Sequence, residues 1–175
     1  MARPFVPVFP VLSLALLALY AQPSIGQPLP QLSVQTLTGK RLLLPRDLNP
    51  TSILVVGFTK SSRRETAPWV KRLREDPQVA TGASVYEVVV LGDVPGFLRS
   101  LILKQLQSGI PKERQDQCLI VTEAVGTWKQ FLRATETDSA YVVVVAPKGN
   151  ISWLAHGAIT DEAYSQLKRA LSTAR

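Results

Sequence analysis

A polar cluster directly after a long apolar run holds the residues best suited to chemistry. The cluster, here called the junction, consists of Lys60, Ser61, Ser62, Arg63 and Arg64. A serine needs an adjacent base to become a nucleophile, and no such partner is evident for Ser61 or Ser62, so helix capping is the expected role of both serines. Exposed amides at a helix start, together with two guanidinium groups, would suit an anion or the carboxylates of a partner. The junction is therefore a candidate binding site.

Three further side chains are candidates for a functional role. Trp69 lies close to the junction in sequence and could line a binding groove. Cys118 is the only cysteine, so no intramolecular disulfide can form; we expect it to be buried, with a mixed disulfide to a partner as the alternative. His156 is the only histidine and is expected in a turn before Thr160. Because no Cys or His stands at ligand spacing from it, no metal site is predicted.

The segments on either side of the junction predict a strand that leads into a helix. Residues 53–58 form a continuous run rich in Ile and Val, which is typical of a strand covered on both faces. From Ser61 or Ser62 onward the apolar spacing becomes that of an amphipathic helix. Ser62 and Glu65 have the spacing of a capping box, and Pro68 falls inside the helix, where it is expected to cause a kink.

The rest of the chain predicts alternating strands and helices. Residues 32–36 and 41–44 form a hairpin with Gly39 in its turn. The later segments are strands at 85–91, 118–122, 141–146 and 151–155, with helices at 93–109, around 125–132 and after Thr160. This order predicts an α/β domain in which a central mixed sheet is flanked by helices and closed by an antiparallel hairpin and a C-terminal helix.

The N-terminus has the pattern of an export signal. Arg3 supplies the positive charge, residues 6–21 are apolar apart from Ser13, and small residues precede Gln27. We therefore expect a signal peptide at 1–26 and a single domain at 27–175, located in the periplasm or secreted. A membrane anchor is the alternative, although prolines interrupt the apolar run and it is shorter than the ~20 residues that span a bilayer. Membrane contact is expected only if the leader stays uncleaved.

The charge balance indicates the class of partner. The formal net charge is +7 and the isoelectric point is near 9.9, which favours acidic proteins or other anionic surfaces. Basic residues occur singly or in pairs, and no nucleic-acid-binding module accompanies them. A protein partner, with acidic surface, is therefore expected, and specific nucleic-acid binding is not.

Three segments together carry a resemblance to a known superfamily. They are LPQLSVQTLTGKRLLLPRDL, SILVVGF and AYVVVVAPKGNISWLAHGAIT. They resemble the N-terminal hairpin, the strand before the active site and the closing hairpin of thioredoxin-like proteins, in particular the exported thiol-disulfide oxidoreductases and the peroxiredoxin-like proteins. The resemblance implies a thioredoxin-like fold over residues 29–174.

Both chemical hallmarks of that superfamily are missing. The family carries Cys-x-x-Cys or one peroxidatic cysteine at the start of the helix; with Pro68 aligned to the family's helix-kinking proline, Lys60 and Arg63 stand at the two cysteine positions. Ala140 stands at the position of the family's cis-proline. A non-proline cis bond costs about 3 kcal/mol, so a trans bond is expected there. The resemblance therefore implies a degenerate member without the thiolate that redox chemistry needs.

These observations lead to two functional hypotheses. The first is an exported, redox-inactive domain that binds a protein through the junction and Trp69, as an assembly factor or chaperone-like module without a cofactor. The second is an enzyme, either a thiol-dependent oxidoreductase or peroxidase that uses Cys118 or a serine-based activity. An exposed Cys118 sulfur beside the junction would favour the enzyme, whereas burial of this sulfur would count against it.

Overall fold

The structure is a computed structural model that describes residues 25–174. All but the last two residues of the predicted signal peptide, 1–26, lie outside the described residues. Among the helices that the structure describes, none has the length and hydrophobicity needed to cross a bilayer.

One mixed sheet of seven strands forms the centre of the fold. The strands are β1 Leu32–Thr36, β2 Arg41–Leu44, β3 Ser52–Gly57, β4 Ser84–Val90, β5 Cys118–Val121, β6 Tyr141–Val145 and β7 Ile151–His156. Their order across the sheet is β2-β1-β5-β4-β3-β6-β7. Strands β3, β4 and β5 are parallel, and the remaining pairs are antiparallel. The predicted mixed α/β architecture with an N-terminal hairpin is confirmed.

Helices cover both faces of this sheet. They are α1 Arg63–Glu75, α2 Pro77–Gly82, α3 Gly96–Gly109, α4 Val125–Leu132 and α5 Asp161–Thr173, with a 3-10 helix at Lys112–Gln117. The sequence pattern did not predict α2. It begins at Pro77 because Asp76 ends α1 and then caps the new helix, accepting a 2.9 Å hydrogen bond from the Gln78 backbone N–H.

Side-chain alternation along the strands divides the core into two layers. One layer contains Trp128 of α4, packed against residues such as Leu54 and Val143. The opposite layer contains Trp69 of α1 and Leu167 of α5, packed against alternate positions of the same strands. Since β3 is buried on both sides, it presents successive residues to the two layers, as its unbroken apolar run predicts.

Helix α3 is covered far less than the other long helices. None of its 14 residues is buried, and the Phe97 and Leu101 side chains are 78% and 64% exposed. Its inner side packs through residues such as Ile102 and Leu106 on a small cluster that includes Cys118. The apolar spacing of α3 therefore predicted the helix but not how little of it is buried.

Two helix starts test the predicted capping. Thr160 caps α5 as predicted, because its Oγ1 accepts a 3.1 Å hydrogen bond from the Ala163 N–H. The capping box predicted for Ser62 and Glu65 is wrong. The Ser62 hydroxyl instead donates to the Thr59 carbonyl oxygen at 2.7 Å, and Ser62 makes no side-chain cap.

His156 lies elsewhere than predicted. It ends strand β7 rather than occupying the turn before Thr160, and its ring meets the Tyr141 ring edge-on, with 5.8 Å between the centroids. Pairing with Tyr141 across the sheet extends β7 to this residue.

Candidate functional site

The junction forms the short connection between β3 and α1. Lys60, Ser61, Arg63 and Arg64 are exposed, whereas Ser62 is 1% exposed. Ser62 turns inward over the end of β3, where a Cβ atom at Gly57 would lie only 2.6 Å from the Ser62 hydroxyl oxygen. The absence of a side chain at Gly57 therefore allows Ser62 to pack closely over the end of β3. Lys60, Arg63 and Arg64 remain exposed to solvent.

Three backbone amides at the start of α1 are already hydrogen-bonded. The N–H groups of Arg63, Arg64 and Glu65 donate to the carbonyl oxygens three residues earlier, at 3.3, 3.1 and 3.0 Å. The expectation that free amides would help to bind an anion is therefore wrong for these three groups. At Arg63 and Arg64, the side chains rather than the backbone N–H groups are therefore available to a carboxylate.

Two side chains join the junction region to the segment before β6. The Thr59 hydroxyl donates to the Asp138 carboxylate at 2.6 Å and accepts a hydrogen bond from the Ser62 N–H at 3.2 Å. The Glu65 carboxylate accepts a 2.8 Å hydrogen bond from the Ala140 N–H. These contacts fasten the start of α1 to the loop that precedes β6.

Ala140 is fully buried, and its preceding peptide bond is trans. Within the described residues, the one cis peptide bond is Leu44–Pro45. The Ala140 carbonyl oxygen accepts a 2.8 Å hydrogen bond from the Gly157 N–H, so both backbone groups of Ala140 have partners inside the protein. The loop therefore offers neither of these groups to a docking peptide.

Trp69 does not lie in a surface groove. It is 1% exposed, its indole N–H donates to the Gly157 carbonyl oxygen at 3.0 Å, and its ring lies 6.3 Å from the Trp153 ring. The prediction that Trp69 takes part in binding at the surface is therefore corrected. Its position on the inner side of α1, two turns from the junction, makes it a core residue.

Cys118 lies in the core at the start of β5. Its side chain is 0% exposed and packs in the cluster beneath α3. Burial raises the pKa of its thiol from 9.0 to about 12; Glu87 acts in the same direction, and Arg74 and Arg63 act against it. A thiol in this environment stays protonated at neutral pH and is suited to packing rather than to nucleophilic attack.

A cavity of about 340 Å³ opens beside the junction, between the start of α1 and the inner side of α3. We call it the α1–α3 pocket. Its lining includes Lys60 and Arg63 from the junction, Glu87 and Val89 from β4, and Val94, Ile102 and Leu106 from the α3 region. Residue spacing did not indicate that β4 and α3 contribute to this site. The one signal for them was Glu87, a lone carboxylate inside the apolar strand VYEVVVL.

Glu87 is half-buried in this pocket. Its carboxylate forms no hydrogen bond or ion pair with any residue in the range 25–174. The negative charge of Glu87 interacts electrostatically with Arg74. Burial lowers the pKa of the Arg74 guanidinium, and the charge of Glu87 acts in the opposite direction. The Arg74 Nε atom is itself buried without a hydrogen-bond partner among the described residues.

No cluster in the described chain has the composition of a metal site. Groups of three or more His, Cys, Asp or Glu side chains that could hold a metal ion are absent from residues 25–174. The exposed side chains of the junction itself are the cations Lys60, Arg63 and Arg64 and the hydroxyl of Ser61, which suit ionic and hydrogen-bonded recognition.

Solved structures with the same architecture include thiol-disulfide oxidoreductases. The thioredoxin domain of a thiol-disulfide oxidoreductase from Bacteroides vulgatus aligns with a TM-score of 0.58 and 15% identity, over 84% of this chain and 97% of that one. A putative thiol:disulfide interchange protein DsbE from Chlorobium tepidum aligns with a TM-score of 0.58 and 14% identity, over 86% and 96%. A thio-disulfide isomerase from Thermus thermophilus aligns with a TM-score of 0.54 and 18% identity, over 83% and 96%. At such identities the likeness concerns the fold, and the predicted thioredoxin-like fold is confirmed.

Sequence comparison assigns the family within this fold. No curated protein matches the chain. The family model described as ATP10 protein matches residues 28–173, which includes every residue from the start of the N-terminal hairpin to the end of α5. This family is distinct from the oxidoreductases that share the fold. The chain belongs to the ATP10 protein family.

Proposed function

We propose that this chain is a redox-inactive, thioredoxin-like assembly factor that binds a protein client through the junction. The observation that carries the proposal is the exposure of Lys60 and Arg63 at the two positions where the redox relatives would carry cysteines. A thiolate is the nucleophile in thiol-disulfide exchange, and the junction contains none. The site keeps the strand-to-helix frame of an oxidoreductase but presents cations.

The family supports a role in assembly. ATP10 proteins are assembly factors. The family's short name, ATP-synt_10, abbreviates ATP synthase. A subunit of that enzyme is therefore the client that we propose. The basic net charge of +7 favours a client segment that carries carboxylates.

The alternative, a thiol-dependent oxidoreductase or peroxidase that uses Cys118, has less support. Its sulfur is buried in the core, and its thiol pKa of about 12 leaves almost no thiolate at neutral pH. Insulin reduction and peroxide consumption by the domain 27–175 would test this alternative directly. Turnover that disappears in Cys118→Ser would establish the enzyme and reject redox inactivity.

We also propose that residues 1–26 direct export and are then removed. The positively charged start, the apolar run and the small residues before Gln27 support this proposal. Mass spectrometry of the protein purified from cell fractions would test it. A mature N-terminus near Gln27 in the periplasmic or secreted fraction is expected, whereas an intact leader in the membrane fraction would support the anchor instead.

Assembly in living cells tests the main proposal. We expect cells without this chain to accumulate incomplete ATP synthase, visible on native gels, and the full chain to restore the complete enzyme. An Arg63→Glu, Arg64→Glu double variant should fail to restore it, because the reversed charges repel the client's carboxylates. The matched control is Lys71→Glu, Arg169→Glu, which makes the same charge change at exposed positions outside the junction. Normal assembly without the chain, or equal failure of both double variants, would contradict the proposal.

A further inference from the structure

The α1–α3 pocket is the concave surface that the junction leaves open. Thr59, which also lines the pocket, is hydrogen-bonded to Asp138, and Glu65 is hydrogen-bonded to Ala140, so the edge of the junction toward β6 is occupied by contacts within the protein. Lys60 and Arg63, in contrast, take part in lining the pocket. The cationic side chains and the open cavity therefore belong to one surface.

We propose that the α1–α3 pocket receives a bulky apolar side chain from a client segment whose flanking carboxylates pair with Lys60 and Arg63. This inference rests on the proposed function and specifies the chemistry of the client. It differs from the expected surface in two respects: Trp69 takes no part, and strand β4 and helix α3 supply the apolar contacts.

The size and lining of the cavity fit an apolar anchor. A volume of about 340 Å³ falls at the lower end of the range, ~300–1,000 Å³, that is usual for binding pockets. Val89, Ile102 and Leu106 supply apolar walls, and each is only half-buried in the absence of a partner. Covering these side chains with an apolar group would remove more of their surface from water, which favours binding.

The charges select an acidic client over a basic one. The pocket lining contains two cations, Lys60 and Arg63, against the one carboxylate of Glu87, and exposed Arg64 adds a further positive charge at the junction. Arg74 also compensates Glu87 from within the chain. A client carboxylate near the mouth would thus meet a net positive field, whereas a client lysine would be repelled by the same side chains.

Titration with three synthetic peptides of equal length tests the two halves of the proposal. The first peptide carries a central Leu-Phe pair between glutamates, the second replaces Leu-Phe by Ser-Ser, and the third replaces the glutamates by lysines. Fluorescence anisotropy with the domain 27–175 should give binding of the first peptide, and at least about tenfold weaker binding of the other two. Equal binding of the Ser-Ser peptide would show charge attraction without use of the pocket and would overturn the proposal.

Variants locate the binding on the protein. Ile102→Trp should fill the cavity and weaken the first peptide about tenfold, whereas Leu101→Trp, on the exposed side of the same helix, should leave its affinity unchanged. Arg63→Glu should weaken the peptide more than Lys71→Glu, which lies on α1 outside the pocket lining. If the control in either pair weakens binding as much as its partner, the peptide binds elsewhere and the proposal is wrong.

Methyl NMR keeps the test decisive if Ile102→Trp fails to fold. In the wild-type domain, the first peptide should shift the methyl signals of Val89, Ile102 and Leu106, and leave those of Leu171 on α5 unchanged. Shifts confined to residues outside the pocket lining would overturn the proposal without any variant.

The assembly assay in cells distinguishes an error in the pocket proposal from an error in the proposed assembly function. If the full chain restores ATP synthase assembly and its Ile102→Trp variant restores it equally well, the pocket proposal is wrong and the assembly function stands. If assembly never requires the chain, the assembly function is wrong, and the peptide titration still decides whether the pocket binds acidic, apolar segments.

Discussion

The carboxylate of Glu65 accepts a 2.8 Å hydrogen bond from the backbone N–H of Ala140, and this bond joins the first turn of α1 to the start of β6. Proline has no backbone N–H, so the contact requires a residue other than proline at 140. The redox relatives carry a proline at that position according to the resemblance. In this chain the Ala140 N–H instead attaches the loop before β6 to helix α1.

Loss of the Glu65 carboxylate should destabilise the domain. Glu65→Ala leaves the buried Ala140 N–H without a partner, which costs about 1–3 kcal/mol in the free energy of unfolding. Glu65→Gln keeps an acceptor oxygen and should cost less. Urea unfolding measures both values, with Glu75→Ala on the exposed last turn of α1 as the control. A Glu65→Ala cost no larger than that of Glu75→Ala would show that the bond contributes nothing to stability.

The Cys118 thiol should resist alkylation in the folded protein. It is fully buried and its pKa is raised to about 12, so both access and the thiolate are lacking. At pH 8 we expect iodoacetamide to modify Cys118 only after urea unfolds the domain, as measured by intact mass. Rapid alkylation of Cys118 without urea would contradict its buried position and would support the alternative of an enzyme that uses this thiol.

The contact between Tyr164 and Asp76 should make stability sensitive to acid. Burial acts to raise the pKa of Asp76, but hydrogen bonds from the Tyr164 hydroxyl, at 2.8 Å, and from the Gln78 N–H outweigh it, and the pKa lies below its ordinary 3.8. A carboxyl group whose pKa is lower in the folded protein than in the unfolded chain stabilises the fold at any pH above the unfolded-state pKa. This stabilisation is lost as the pH falls from the unfolded-state pKa through the lower folded-state pKa.

Tyr164→Phe tests this relationship. We expect it to raise the pKa of Asp76, followed by NMR, and to lower the free energy of unfolding at pH 7 by about 1 kcal/mol. The difference in stability between wild type and variant should shrink below pH 3.8, where the unfolded carboxyl becomes protonated. Tyr86→Phe is the control, because Tyr86 is a buried tyrosine that makes no contact with Asp76. An unchanged Asp76 pKa in Tyr164→Phe would contradict the prediction.

Trp69→Phe should weaken the fold and leave client binding unchanged. The variant removes the hydrogen bond to the Gly157 carbonyl oxygen and leaves a cavity in the core, at a cost of about 1–3 kcal/mol. Trp153→Phe, which affects the neighbouring ring but no hydrogen bond among the described residues, should cost less. Urea unfolding measures both. If Trp69→Phe instead weakens the acidic peptide without a loss of stability, Trp69 is a binding residue after all.

Local patterns in the sequence were sufficient for most of the fold. Residue spacing within one or two neighbouring elements was enough to predict three features: the hairpin at 32–44, the buried strand β3 and the Thr160 cap of α5. Such signals are local because backbone hydrogen bonding and side-chain alternation repeat over a few residues. The sequence also shows directly that the junction has no thiol, because this conclusion depends only on which residues are present.

The site depended on contacts between residues far apart in the chain, which spacing does not encode. Sequence alone determined that the junction contains no cysteine, and it predicted the strand that leads into a helix on either side of the junction. The tertiary structure decided that Trp69 faces the core, that Glu65 bonds to Ala140 rather than to the helix start, and that α3 leaves a pocket open beside the junction. Each of these outcomes is set by the packing of one element on another, because burial and hydrogen-bond partners depend on the whole fold.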